Sequence, residues 1–438
     1  MISAKQIIDS VNKGKSSRSD HFLESLNSAK LNKKFKAWQW LYEDLDASEQ
    51  RRPRITNSDY SALNGVPMGF KDIFNSIDGT TEMGSEIWKG HKAGNDARII
   101  SMANEAGASI IGKTKTAEFA VHHLPDVYNP WDIERTTGTS SSGSAVAVLT
   151  GDVPVAFGTQ TAGSISRPAS FCGVIGFKPT FGIFPRTGVL KTCDPFDTLG
   201  YFCSFYEDVE LVFNSMRLRG SNYPIIEKGI EFTSSEIKKS KETVIGNVVT
   251  DATDSIDPEI EEASKSFLES LPTKYKIETC DLTNLLSNAR ELYELIYHKS
   301  LSYYFTEERE AGTDYSDIMK EIFAIGDKVS PSEYIEAISN LDRLRTLSFD
   351  AFSRFNLLVS PTTSSVAPYR NKKEIIDSSL FWSMLHLPLV SLPLFQSKES
   401  GLPFGLQVVG ARKYSDQYLF DFIRDMDLAG TQINRPKL

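Results

Sequence analysis

The spacing of apolar residues changes character near residue 66. Before it, Ile7, Ile8, Val11, Phe22, Leu23, Leu26 and Leu31, followed by Trp38, Trp40 and Leu41, recur in a charged background at intervals that predict helices. Residues 1–60 therefore read as a helical arm packed on a larger body, residues 61–438. From Val66 the pattern alternates: Val66, Met68 and Phe70 fall on one face and Gly69 and Lys71 on the other, which predicts a strand with Lys71 near its end. Ile99, Met102, Ala103 and Ala106 return to helical spacing, Gly107 supplies a stop, and residues 108–111 read as a short buried strand. Further strands are predicted at 153–157, 244–249, 357–359, 389–394 and 406–409, with a last helix from Ser415. Asp257-Pro258-Glu259 opens another helix, with Pro where its missing N–H costs nothing. The polar stretch 219–241 reads as a linker or lobe boundary, and residues 286–350 as a helical insertion whose acidic patches face solvent. Strands and helices interleave without an internal repeat, so the class is α/β around a central sheet.

Composition narrows the partners. Of 438 residues, 48 are basic and 57 acidic, a net charge of −9, and the densest basic cluster, Lys238-Lys239-Ser240-Lys241, is flanked by glutamates. That balance argues against a nucleic-acid partner. No apolar run approaches the roughly 18 residues of a membrane span, and the first twenty residues lack the hydrophobic region of a signal peptide, so a soluble cytoplasmic protein is expected. Four cysteines, Cys172, Cys193, Cys203 and Cys280, show no CxxC spacing, so neither a disulfide framework nor a metal site is expected. Nothing in the sequence calls for a cofactor.

One motif misleads. Gly107-Ala108-Ser109-Ile110-Ile111-Gly112-Lys113-Thr114 matches the nucleotide-binding pattern G-x-x-x-x-G-K-[ST] letter for letter. That pattern cradles phosphate only as an open loop between a strand and a helix, whereas here a helix precedes Gly107 and the interior is strand-like, so a helix-to-strand turn is the better reading. No G-x-S-x-G elbow occurs, and the six histidines carry no local cue to a triad. What stands out is a pair of serines, Ser140 and Ser164, each in a run of small residues that lets backbone N–H groups approach a substrate, with Lys71 upstream at a strand end.

Together these segments resemble the amidase signature family. The blocks are Gly138-Thr139-Ser140-Ser141-Ser142-Gly143-Ser144-Ala145, then Gly158-Thr159-Gln160-Thr161-Ala162-Gly163-Ser164-Ile165, then Gly176-Phe177-Lys178-Pro179-Thr180, with Lys71-Asp72, Glu118-Phe119-Ala120, Asp197-Thr198-Leu199-Gly200, Ser360-Pro361-Thr362 and Gly401-Leu402-Pro403-Phe404-Gly405 in register around them. The resemblance runs from about residue 60 to the end and absorbs the false nucleotide motif. It implies a central mixed, twisted β-sheet covered by helices on both faces. It also implies a Ser-cisSer-Lys triad in which Ser164 is the nucleophile, Ser140 relays the proton beside a cis peptide and Lys71 is the base, with the N–H groups of Thr161, Ala162, Gly163 and Ser164 as oxyanion hole. Lysine acts as a base only when neutral, so burial must bring its pKa down from about 10.4.

The sequence also departs from the family, which usually has Gly where Thr139, Ser142 and Ala162 stand and commonly Asp in place of Gln160. The arginine after the nucleophile is shifted one place, to Arg167, as in a subset of small bacterial amidases. Arg167 is a candidate for reading a substrate carboxylate, against the alternative of a structural arginine tied to backbone carbonyls or an internal acid. Gln160, Ser141 and His386 are the other candidate substrate-binding residues. The resulting expectation is hydrolysis of a small amide or urea-like bond through an acyl-serine, by a chain that acts alone or as a homodimer. The alternatives are a glutaminase-type subunit of an amidotransferase with a partner chain, an acyl transferase, and, from a different class, an inactive binding module.

Overall fold

The computed structural model describes residues 2–44, 62–239, 242–312, 315–428 and 432–438. Among them, eleven strands form one sheet: β1 Trp38–Leu41, β2 Pro67–Lys71, β3 Ser109–Thr114, β4 Val155–Gln160, β5 Ile175–Lys178, β6 Thr198–Cys203, β7 Thr243–Val249, β8 Tyr275–Asp281, β9 Leu357–Pro361, β10 Leu389–Gln396 and β11 Pro403–Gly410, in the order β1-β3-β2-β4-β6-β5-β10-β11-β9-β7-β8. The sheet is mixed, with β2 parallel to β3 and β4, and β7 parallel to β8 and β9, while β4/β6, β5/β6, β5/β10 and β10/β11 are antiparallel. Every residue of β2, β4, β5, β6 and β11 is buried. A strand buried on both sides needs a covering layer on each face, and helices such as the wholly buried Ser142–Leu149 provide it.

The predicted strands and helices recur within a few residues of their expected bounds, with exceptions that have physical reasons. Trp38–Leu41 is a strand rather than the continuation of a helix. It pairs antiparallel with β3, and the Trp38 and Trp40 rings lie over Gly69 and Gly79, where an added Cβ would sit 2.8 and 2.7 Å from ring carbons. The expected boundary near residue 60 lies outside the described residues. Most of 219–241 is the helix Pro224–Lys239, not a linker: Ile226, Ile230 and Ile237 repeat along one face and pack on the core, and residues 240–241 lie outside the description. β5, β6 and β8 were not anticipated, although β6 is the strand that joins the two halves of the sheet around the site. The nucleotide-like motif is a turn at Gly107, at φ +87°, leading into β3. Its Lys113 is buried and ion-paired with Asp72 at 3.0 Å, with nothing open to a phosphate.

Candidate active site

Three segments meet at the carboxyl ends of β2 and β4. Lys71, the last residue of β2, is fully buried, and its Nζ donates to Ser140 Oγ at 2.6 Å and to Thr159 Oγ1 at 2.9 Å. Burial holds the Lys71 pKa down to about 7, against the opposing pull of Asp197. The Thr139–Ser140 peptide bond is cis. Gly138 precedes it at φ +78°, and a Cβ there would lie 2.9 Å from Pro168 N, so both the backbone angle and the space call for glycine. Thr159 couples the two serine segments: its side chain accepts from Lys71, its carbonyl accepts from Ser141 Oγ at 3.1 Å, and its N–H donates to the same hydroxyl at 3.3 Å.

Residues 161–164 follow directly from β4, ending at Ser164, which is buried with 7% of its surface exposed. Their backbone N–H groups donate to no acceptor among the described residues, so the loop presents a row of free donors. The loop is braced from three sides. Gln160 Oε1 accepts from Ile165 N and Ser166 N, both at 3.0 Å, and from Ser166 Oγ at 3.1 Å, while Gln160 Nε2 donates to Ser383 Oγ. Ser383 Oγ in turn donates to the Ala162 carbonyl at 2.9 Å. Thr161 Oγ1 donates to Asp197 Oδ1 at 2.7 Å, and Asp197 Oδ2 accepts from the N–H groups of Thr192 and Cys193. Ala162 stands outside the positive-φ residues, so its methyl group causes no backbone conflict where the family pattern has glycine.

The candidate substrate-binding residues divide. Gln160 and Ser141 are both fully buried, with their side chains hydrogen-bonded to the loop and to Thr159. The His386 ring stacks on Phe181 at 3.8 Å and its Nε2 meets Pro195 O and Arg345 Nη2, contacts that fasten the helix Pro331–Phe352 to the core. Arg167 lies with its guanidinium against Gly163. It borders a cleft of about 620 Å³ shared with His122, Thr139, Arg290, Glu374 and Asp377. Its Nε donates to Asp377 Oδ2 at 2.7 Å and its Nη1 to Glu374 Oε2 at 3.3 Å. Burial works against its charge, and the two carboxylates outweigh that and raise its pKa. The remaining nitrogen, Nη2, lies against Gly163, where an added Cβ would come within 3.0 Å of it. Gly163 is thus a matter of space, because a side chain would displace the guanidinium beside the 161–164 loop.

Sequence reasoning did not find Thr159 as a partner of Lys71, Asp197 as the brace of Thr161, or Asp377 and Glu374 as the clamp on Arg167. Asp197 carried a signal, since it opens one of the family blocks; Asp377 and Glu374 carried none, lying 210 and 207 residues from Arg167 in the chain. Among the described residues no group of three or more His, Cys, Asp or Glu side chains is placed to hold a metal ion, and no helix is long and apolar enough to cross a membrane.

Comparison with known proteins places the geometry in context. The family described as Amidase matches residues 22–420. Among curated proteins, a glutamyl-tRNA(Gln) amidotransferase subunit from Synechococcus elongatus is 30% identical over 405 residues, covering 82% of this chain and 83% of that protein. The corresponding subunit from Natranaerobius thermophilus is 28% identical over 402 residues, covering 82% and 80%. Among solved structures, a crystal structure of an amidase superposes with a TM-score of 0.82 at 23% identity, covering 97% and 99% of the two chains. A structure from work on a vestigial protein complex and the origins of an s-triazine catabolic enzyme superposes with a TM-score of 0.83 at 22% identity, covering both chains completely.

Proposed function

We propose, from the premise that this chain belongs to the amidase family of enzymes acting on amide bonds, that it hydrolyses small amides through an acyl-serine formed on Ser164. The observation that carries this is the buried contact of Lys71 with Ser140 and Thr159, at 2.6 and 2.9 Å, beside a loop of unpaired N–H groups. Neutral Lys71 takes the proton of Ser140 as Ser140 takes that of Ser164, and Ser164 Oγ attacks the amide carbonyl carbon. The oxyanion falls to the N–H groups of residues 161–164, where loss of one donor typically costs about 10²–10³ in rate. Collapse of the tetrahedral intermediate breaks the C–N bond, and the proton held by Lys71 returns through Ser140 to the departing nitrogen. Water then attacks the Ser164 ester by the same relay, releasing the acid and restoring the hydroxyl.

The substrate carries a carboxylate. Arg167 supports this with its one N–H₂ group left outside the Asp377 and Glu374 clamp, and the same cleft is bordered by Arg370, Lys372 and Lys373 in a chain whose net charge is −9. The shifted arginine is the feature shared with the small bacterial amidases. Ammonia release from paired carboxylated and neutral amides, such as succinamate against butyramide with glutamine and asparagine alongside, tests both parts. Release by wild type and not by Ser164→Ala supports the nucleophile, and preference for succinamate supports the carboxylate; release by Ser164→Ala at the wild-type rate sinks the reading. The curated relatives favour one second reading, a glutaminase component of an amidotransferase. It requires glutamine hydrolysis that appears only with a co-purifying partner chain.

A further inference from the structure

A second cavity is bordered by the helices Pro224–Lys239 and Pro331–Phe352 and by residues 411–414, which follow β11. At about 840 Å³ it is larger than the cleft at Arg167 and shares no bordering residue with it. Its size is that of a small-molecule site. The walls are apolar, with Phe232 from one helix, Phe349 and Phe352 from the other, and Leu385 and Leu387 beside them. Phe352, Leu385 and Leu387 are buried, whereas Phe232 and Phe349 are left 59% and 63% exposed. A lone exposed aromatic is ordinary on a protein surface; two that border one concavity from separate helices mark a binding wall. Tyr414, also on the border, is held at φ +65°, a region that bulky residues rarely enter. Its N–H donates to Thr180 Oγ1 at 2.9 Å, and that hydroxyl donates to the buried Asp416 at 2.6 Å. Gly229 makes way for the Tyr414 ring, which a Cβ there would strike.

Every charged residue on this border is basic, namely Lys228, Arg345, Arg412 and Lys413, in a chain whose net charge is −9. Arg345 and Arg412 are paired with Asp342 and Glu236, neither of which borders the cavity. Lys228 and Lys413 meet no carboxylate among the described residues. Desolvation and the nearby Arg345 hold the Lys413 ammonium below its ordinary value, against the pull of Asp342. An anion in the cavity would relieve that repulsion. We propose that this cavity is a second binding site, taking an amphipathic carboxylate whose apolar tail lies among Phe232, Phe349 and Phe352 and whose head pairs with Lys228 and Lys413. Charge and shape select this occupant over others. A cationic amphiphile would meet four like charges, and an anion without a tail would leave the aromatic walls in water.

Calorimetric titration of the purified full chain with decanoate, butyrate and decyltrimethylammonium tests this. Decanoate is expected to bind once per chain with a Kd of about 1 mM or tighter, and the other two at least ten-fold more weakly. The double variant Lys228→Gln, Lys413→Gln should weaken decanoate about ten-fold. Phe349→Glu, which sets an acid in the cavity at an exposed position, should abolish binding while the thermal midpoint holds. Phe232→Glu repeats that test from the other helix, so misfolding of one variant leaves the other to decide. Binding should also survive labelling of Ser164 by phenylmethanesulfonyl fluoride, since the cavity is separate from the Arg167 cleft. Absence of saturable decanoate binding below about 10 mM overturns the inference. So does decyltrimethylammonium binding as tightly as decanoate, or decanoate binding that either glutamate variant leaves unchanged or that Ser164 labelling removes. A wild-type dimer in sedimentation that Phe349→Glu converts to a monomer assigns the cavity to a second copy of the chain and overturns it too.

Discussion

Lys71 provides the sharpest quantitative expectation. As the proposed base it must lose its proton, and burial brings its pKa from 10.5 to about 7. That displacement corresponds to about 5 kcal/mol against the ammonium form. An ordinary lysine would be neutral in only about 0.03% of molecules at pH 7, whereas Lys71 would be neutral in about half, roughly a thousand-fold gain in active base. The sign follows from the cationic acid: lowering pH through about 7 protonates Lys71 and removes activity, and raising it restores activity. The assay is kcat/KM for ammonia release, measured from about pH 5 to pH 9 in buffers of constant ionic strength. The profile is expected to climb about ten-fold per pH step below 7 and to level above about 8. Asp197→Asn should move the midpoint downward, since Asp197 is the group holding the Lys71 pKa up, even though the rate itself falls with the loosened Thr161. Lys71→Met should cost about 10²–10⁴ above pH 7 and progressively less below it, where wild-type Lys71 is itself protonated. A flat profile through the neutral range, or a climb that continues undiminished to about pH 9, would refute the assignment of Lys71 as the base.

Other perturbations address the supports of the site. Arg167→Lys replaces a fork with a point charge that cannot hold Asp377, Glu374 and a substrate at once, so succinamate KM should rise at least ten-fold while labelling of Ser164 persists. Gln160→Leu removes the acceptor of three hydrogen bonds and should lower stability by about 2–4 kcal/mol in urea unfolding, with loss of turnover as the loop relaxes. Lys113→Met leaves Asp72 buried without its counter-charge and should cost about 3–5 kcal/mol by the same measurement. Gly163→Ala should leave the fold intact yet weaken succinamate binding, because its methyl meets the Arg167 guanidinium; unaltered KM would contradict the placement of Nη2.

What the sequence made legible were features with local signatures. Repeating apolar positions located β2, β7, β9, β10 and β11 and the long helices, and the small-residue blocks around Ser140 and Ser164 marked the segments that converge on Lys71. Trp38–Leu41 escaped because four residues are too few to separate a period of two from a period of 3.6, and the glycines that seat its tryptophans lie some thirty or more residues downstream. The helix Pro224–Lys239 escaped because its four isoleucines are diluted among polar residues, so composition concealed the stripe. At the site, roles depended on partners remote in sequence. Nothing near Arg167 announces Asp377, and nothing near His386 announces Arg345, so their different surroundings could not be told apart from the sequence.

The separation of these supports bears on how the protein can change over generations. The groups around Lys71 and Ser140 come from β2, β4 and the segment between, all within the first 160 residues, and Thr159 touches both serine segments. The groups that set Arg167 come from Glu374 and Asp377, a stretch that meets the relay at the Thr139 backbone, through Glu374. On the proposed role of Arg167, drift in the 370–377 stretch that spares Glu374 retunes which acyl group is accepted while bond cleavage continues, whereas drift at Thr159 disturbs both serine segments at once. New substrate ranges should consequently arise by replacement within one short stretch of chain, and grafting that stretch between relatives is the economical route to redirecting the enzyme.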